Sequence, residues 1–265
     1  MDNFQGFRDT SVRFRVAGEG FTLLFLHGYL ESLEIWESFI PDLARDFRVV
    51  TLDLPGHGQS GVPEGGTGME VMASAAVALL DHLHIDKALW VGHSMGGYAS
   101  LAQLEGGHER MQGICLFHSH TLADIPQVRE KRKREIQIVE QGQKRLLVMQ
   151  NIPNMFAPQN LVAFEKELEI TRNIARKTPD EGVISALQGL MERPDRSQIL
   201  AESAVPCLQI VGRYDQYIAY EEVSMATRLP PKSGRLILEH SGHMGFFEEK
   251  ARCLEGIRRF LAALV

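Results

Sequence analysis

The chain has 265 residues, 44% of them apolar and 23% charged, and a net charge of −6. That length supports a full hydrophobic core in one large domain, with or without an insertion. The acidic balance argues against a nucleic-acid footprint, and no apolar run reaches the length of a membrane span, so the expected partner is a small-molecule substrate.

Cys115, Cys207 and Cys253 are odd in number and widely spaced, and two lie in apolar runs, which predicts buried free thiols in a reducing compartment. Residues 1–6 do not pair a basic segment with an apolar one, so no secretory leader and a cytoplasmic location are expected. Monomer and homodimer both stay open.

Residues 12–16 alternate Val-Arg-Phe-Arg-Val, which predicts a half-exposed edge strand hairpinned with the residues before it. Residues 21–26, 47–52, 88–91, 113–117, 207–211 and 235–238 are continuously apolar, as strands covered on both faces are. Helical stripes lie between them. Ile35, Trp36, Phe39, Ile40 and Leu43 form one, split at Pro41. Val71, Ala75, Ala78, Leu79 and Leu83 form a second, and Leu254, Ile257, Phe260, Leu261 and Leu264 a docked last helix.

This alternation predicts an α/β fold with a mostly parallel sheet. Residues 119–200 break it: no strand is evident, and 125–149, 159–177 and 180–192 read as helices punctuated by prolines. The segment reads as a helical insertion in a core made of 1–118 and 201–265, placed to act as a lid. A simple packing extension is the plainer reading.

The chemistry gathers at strand ends. Gly92-His93-Ser94-Met95-Gly96 has the form Gly-x-Ser-x-Gly between a strand and a helix, the setting of a nucleophile held on a tight turn. A serine needs a base, and the base an orienting acid. Asp215 and His243 each follow a strand, in the chain order this motif requires. Their plainer readings are a turn aspartate and a surface-loop histidine. His240 is the nearest rival base, expected to be packed at its strand end.

An oxyanion needs two donors: the N–H of Met95, and that of Tyr29 in the loop His27-Gly28-Tyr29, where Gly28 lets the backbone approach. His118, after the strand ending at Phe117, is expected to line the cleft with His27 and Gly28. His118-x-His120 lacks a credible third metal ligand, so no metal site is expected, and the chemistry implies no organic cofactor. Met149, Met155, Phe156, Leu161, Phe164 and Met191 are candidates for an apolar acyl pocket. The turn Asp53–Ser60 reads as rigid, with its aspartate capping backbone groups. The basic run at 129–134 reads as a solvated helix face.

Together Leu26-His27-Gly28, Asp53-Leu54-Pro55-Gly56-His57-Gly58-Gln59-Ser60, Gly92–Gly97, Gly212-Arg213-Tyr214-Asp215 and Ser241-Gly242-His243 resemble the α/β-hydrolase family, in family order and over nearly the whole chain. The resemblance implies an eight-stranded, mostly parallel sheet with a lid after the sixth strand. It implies Ser94 as nucleophile, Asp215 as acid, His243 as base, and His27 and Gly28 in the oxyanion loop. A serine at 94 sets aside the family's haloalkane dehalogenases and epoxide hydrolases, which use aspartate there. The expected activity is a carboxylesterase acting on small or medium acyl esters. The alternative is a carbon–carbon bond hydrolase or pyruvate-eliminating synthase with the same triad, which needs a cation such as Arg129 or Arg172 for a substrate carboxylate.

Overall fold

The computed structural model describes residues 1–264 apart from 222 and 224–226. Eight strands form one sheet: β1 (Asn3–Phe7), β2 (Thr10–Ala17), β3 (Thr22–Leu26), β4 (Arg48–Leu52), β5 (Ala88–His93), β6 (Met111–Phe117), β7 (Cys207–Gly212) and β8 (Gly234–Leu238). Their spatial order is β1-β2-β4-β3-β5-β6-β7-β8. The β1–β2 and β2–β4 pairs are antiparallel and every later pair is parallel.

Side chains alternate across the sheet, so Leu24 and Leu26 of β3 enter one core and Leu23 and Phe25 the other. The first core takes α2 (Met69–His82), through Met72, Ala76, Leu79 and Leu80, and α3 (Met95–Gly106). The second takes the short helices α1 (Ile40–Leu43) and α9 (Gly245–Glu248), through Leu43 and Phe246, and α10 (Lys250–Ala262), through Cys253, Leu254, Ile257, Phe260 and Leu261. Both faces are covered, which is why the parallel strands read as unbroken apolar runs.

The expected edge strand is not at the edge. β2 lies between β1 and β4, and Val12, Arg13 and Phe14 are all buried. Arg13 breaks the polar-outward rule because it is paired: Nε donates to Asp53 Oδ2 at 2.7 Å and Nη2 to Glu34 Oε1 at 2.6 Å. Asp53 also accepts the N–H groups of Leu33 and Gln59, so the turn after β4 is the rigid element expected there.

Between β6 and β7 the described residues are helical: α4 (Pro126–Glu140), α5 (Lys144–Asn151), α6 (Glu165–Lys177), α7 (Asp180–Glu192) and α8 (Ser197–Glu202). The single helix expected over 125–149 is two. Gly142 at φ 73° breaks it, a left-handed conformation that favours glycine. All three cysteines are buried free thiols. No helix among the described residues is long and apolar enough to cross a membrane.

Candidate active site

Ser94 sits between β5 and α3 at φ 48°, ψ −112°, a strained conformation for a residue with a Cβ. Close packing imposes it. A Cβ on Gly92 would stand 2.4 Å from the Gly96 carbonyl carbon, and one on Gly96 would stand 2.3 Å from the Leu26 carbonyl oxygen. The turn therefore needs glycine at both positions, and Gly96→Ala is expected to cost about 1–3 kcal/mol in a denaturant melt and to lower activity with it. Leu30 and His118, at φ 61° and 46°, put two more strained residues in the loops at this end of the sheet.

The Met95 N–H is the first orphan donor of α3, where the helix dipole favours negative charge. The backbone N–H groups of Met95 and Tyr29 find no acceptor among the described residues. Ser94, Met95 and Tyr29 line one cavity of about 290 Å³ together with His243.

His243 Nδ1 lies 2.7 Å from Asp215 Oδ2. Asp215 Oδ1 accepts the N–H groups of Tyr217 and Ile218, both at 2.9 Å. Burial alone would raise the Asp215 carboxyl, but the adjacent imidazoles of His243 and His118 hold it well below the usual carboxylate range. His118 Nδ1 stands 3.3 Å from the same Oδ2, without hydrogen-bond alignment. Its Nε2 accepts the Gly245 N–H at 3.1 Å. The ligating atoms of His118, Asp215 and His243 lie within 4.8 Å of one another.

Several expected cavity residues stand elsewhere. His27 is fully buried behind the loop: Nδ1 lies 2.8 Å from the Gly28 carbonyl and Nε2 accepts the Leu54 N–H, so it braces the turn after β4. Gly28 spends its N–H on Glu31 Oε2 at 2.6 Å. His118 is fully buried behind Asp215. Phe156 packs in the second core and Met191 does not line the cavity, while their neighbours Met155 and Leu190 line it. Met149 is an exposed residue of α5, and Leu161 and Phe164 pack on the second core. His240 is exposed, not packed.

The cavity wall is more charged than the sequence suggests. Arg132 and Arg193 both donate to Asp124, and Lys131 lies 3.8 Å from Glu135; all five line the cavity. The basic run of α4 is thus only partly a solvated face. Tyr29 Oη is buried there without a partner, and Tyr217 lies over the His243 ring at 5.4 Å. Neither Arg129 nor Arg172 lines the cavity.

Burial gives this end of the sheet a pH signature. His27, His57 and His118 are each 0% exposed, and desolvation pushes His57 down to about 3, His118 to about 4, and His27 below its ordinary value. The unfolded chain takes up protons near pH 6.5 while the folded chain does not, so stability is complete above that pH and drains away as pH falls toward 4. We expect denaturant melts between pH 6.5 and 4 to lose about 1.4 kcal/mol per pH unit for each of His57 and His118. A flat stability curve over that window would contradict it.

A family model described as the alpha/beta hydrolase fold matches residues 22–250. A thermophilic esterase from Thermogutta terrifontis superposes with a TM-score of 0.91 at 29% identity, over 96% of this chain and 94% of its own. The enol-lactonase from Burkholderia xenovorans superposes with a TM-score of 0.90 at 21% identity, over 98% and 100%, a likeness of fold alone. Among curated relatives, a dihydrolipoyllysine-residue acetyltransferase component of an acetoin cleaving system from Pseudomonas putida is 28% identical over 94% of this chain, which spans 65% of that relative's length. A pimeloyl-acyl-carrier-protein methyl ester esterase from Aliivibrio fischeri is 22% identical over 95% of this chain and 98% of its own. With its eight-stranded sheet and this match over residues 22–250, the chain belongs to the α/β-hydrolase fold family.

Proposed function

We propose that the chain is a serine hydrolase that cleaves carboxylic esters of small or medium acyl groups. Ser94 is the nucleophile, His243 the general base and Asp215 its orienting acid. One observation carries this reading. A strained serine at a strand–helix turn shares a cavity with an imidazole bonded at 2.7 Å to a buried carboxylate. The carboxylate accepts a hydrogen bond from Nδ1–H, which keeps the ring proton on Nδ1 and leaves Nε2 as the basic nitrogen.

In this mechanism Ser94 Oγ attacks the ester carbonyl carbon and its proton passes to His243 Nε2. The N–H groups of Met95 and Tyr29 take the oxyanion. Collapse expels the alcohol, which carries the proton away from His243. Water then attacks the acyl-enzyme by the same steps, releasing the acid and restoring Ser94. No step calls for a metal or organic cofactor. Helices α4–α7 act as the lid over a core of 1–118 and 201–265, since α4 and α7 contribute Arg132, Glu135 and Leu190 to the cavity wall. The esterases among the relatives support the ester reading.

The test is labelling with a fluorophosphonate probe alongside a panel of aryl esters of graded acyl length. The label is expected on Ser94, with the best kcat/KM on the shorter acyl chains. Full ester turnover with Ser94 unlabelled would overturn the assignment. Arg132 and Lys131 at the cavity wall favour one second reading, cleavage of a carbon–carbon bond or pyruvate elimination in a substrate bearing a carboxylate. Turnover of a dienoic carboxylic acid, with failure on simple esters, would establish it.

A further inference from the structure

We propose that Glu31 and His93, joined as a buried ion pair, are positioning residues that hold the oxyanion loop, the Ser94 turn and the main chain of the base in one register. The inference rests on the mechanism proposed above for Ser94 and His243.

Both residues are 0% exposed. Glu31 Oε2 accepts the Gly28 N–H at 2.6 Å and lies 2.9 Å from His93 Nδ1. His93 Nε2 lies 2.9 Å from the carbonyl oxygen of His243. A carbonyl oxygen only accepts, so Nε2 bears a proton; with Nδ1 donating to the carboxylate, His93 is an imidazolium. Burial would depress the His93 imidazole and raise the Glu31 carboxyl. Their mutual attraction and hydrogen bonds outweigh it, so His93 stands above its ordinary value and Glu31 below.

The placement of these bonds gives the pair its role. Gly28 precedes Tyr29, the loop's oxyanion donor. His93 precedes Ser94. The third bond ends on the main chain of His243, whose own N–H donates to the Met155 carbonyl of the insertion at 2.7 Å. One line of hydrogen bonds therefore runs from the oxyanion loop through the Ser94 turn to the base. Packing alone does not call for it, since an apolar pair of similar volume fills a core at less desolvation cost. Glu31 Oε1 is also buried without a partner, which adds to that cost.

The pair also sets the charge around the base. The groups facing His243 are the His93 ring at 4.8 Å, the His118 ring at 5.6 Å, the Tyr217 ring at 5.4 Å and the Asp215 carboxylate. His93 faces Glu31, His243 and, at 6.0 Å, the His118 ring; the remaining rings against it are Trp36, Phe117 and Phe246.

Glu31→Gln keeps the shape and removes the carboxylate, and the buried His93 then sheds its proton. Counting active sites with a fluorophosphonate separates folding from rate. Per active site, kcat on an aryl ester is expected to fall about 10-fold or more with KM within about twofold. The acid limb of kcat/KM is expected to move to higher pH, because the pair loses both charges and its cation, His93, is the member that touches His243. In the double variant with His93→Gln, the second change is expected to add little, as for two residues acting as one unit. Wild-type kcat per active site and an unmoved acid limb in Glu31→Gln would overturn the proposal, even with a lowered Tm. If Glu31→Gln does not fold, His93→Asn decides by the same per-site kcat: a fall supports the proposal and a wild-type value overturns it. A wild-type protein that neither labels nor turns over esters would instead defeat the underlying mechanism.

Discussion

Replacing Ser94 with alanine is expected to lower kcat on an aryl ester by roughly 10⁶-fold, the scale seen when a triad nucleophile is removed, and to abolish fluorophosphonate labelling. The fold should survive. Alanine carries the same Cβ through the strained φ of 48°, and Gly92 and Gly96 still let the turn close. The backbone bonds of residue 94 are independent of its side chain: the N–H to the Phe117 carbonyl at 2.9 Å, and the carbonyl to the N–H of Gly97 at 2.9 Å. Residual rate over water would come from the N–H donors of Met95 and Tyr29 and from substrate binding. Full residual activity, measured on protein with a wild-type melt, would remove Ser94 from the mechanism.

Part of this arrangement was legible in the sequence because it is local. A strand covered on both faces must be apolar throughout, so β3, β4, β5 and β7 announce themselves. The Gly-x-Ser-x-Gly turn packs backbone on backbone, which is why glycine marks it. Asp215 and His243 each follow such a strand closely enough to be placed by chain position.

What the sequence concealed depends on partners far along the chain. Arg13 reads as a solvent-facing residue until Asp53 and Glu34 are brought against it. The cavity wall of α4 looks like a solvated helix face because Lys131, Arg132 and Glu135 are polar, and only the fold supplies Asp124 and Arg193 beside them. Leu190 on α7 and Arg193 just past its end are three residues apart and both line the cavity, while Met191 lies about a hundred degrees round the helix from Leu190. Apolar character at 191 could not supply that phase. Glu31 had no sequence signal at all. Its role emerges only when His93, 62 positions later, meets it in the core.

Asp215→Asn is expected to cost about 10⁴ in kcat, as the corresponding change does in other triads, and the hydrogen bonds here say why. The Oδ1 position accepts two backbone N–H groups, from Tyr217 and Ile218. An asparagine must place its carbonyl oxygen there, because an NH₂ group facing two donors would leave them all unpaired. Its NH₂ then occupies the Oδ2 position, 2.7 Å from His243 Nδ1. That nitrogen is forced to accept, the ring proton moves to Nε2, and no lone pair remains to take the proton of Ser94. Tyr217 and Ile218 therefore convert an isosteric substitution into a reversed tautomer. The rate should be measured per labelled site or per folded molecule, since the loss of charge beside His118 alters stability separately. A fall of less than tenfold would mean that the imidazole keeps its tautomer without Asp215, and the acid of the proposed mechanism would have to be sought elsewhere.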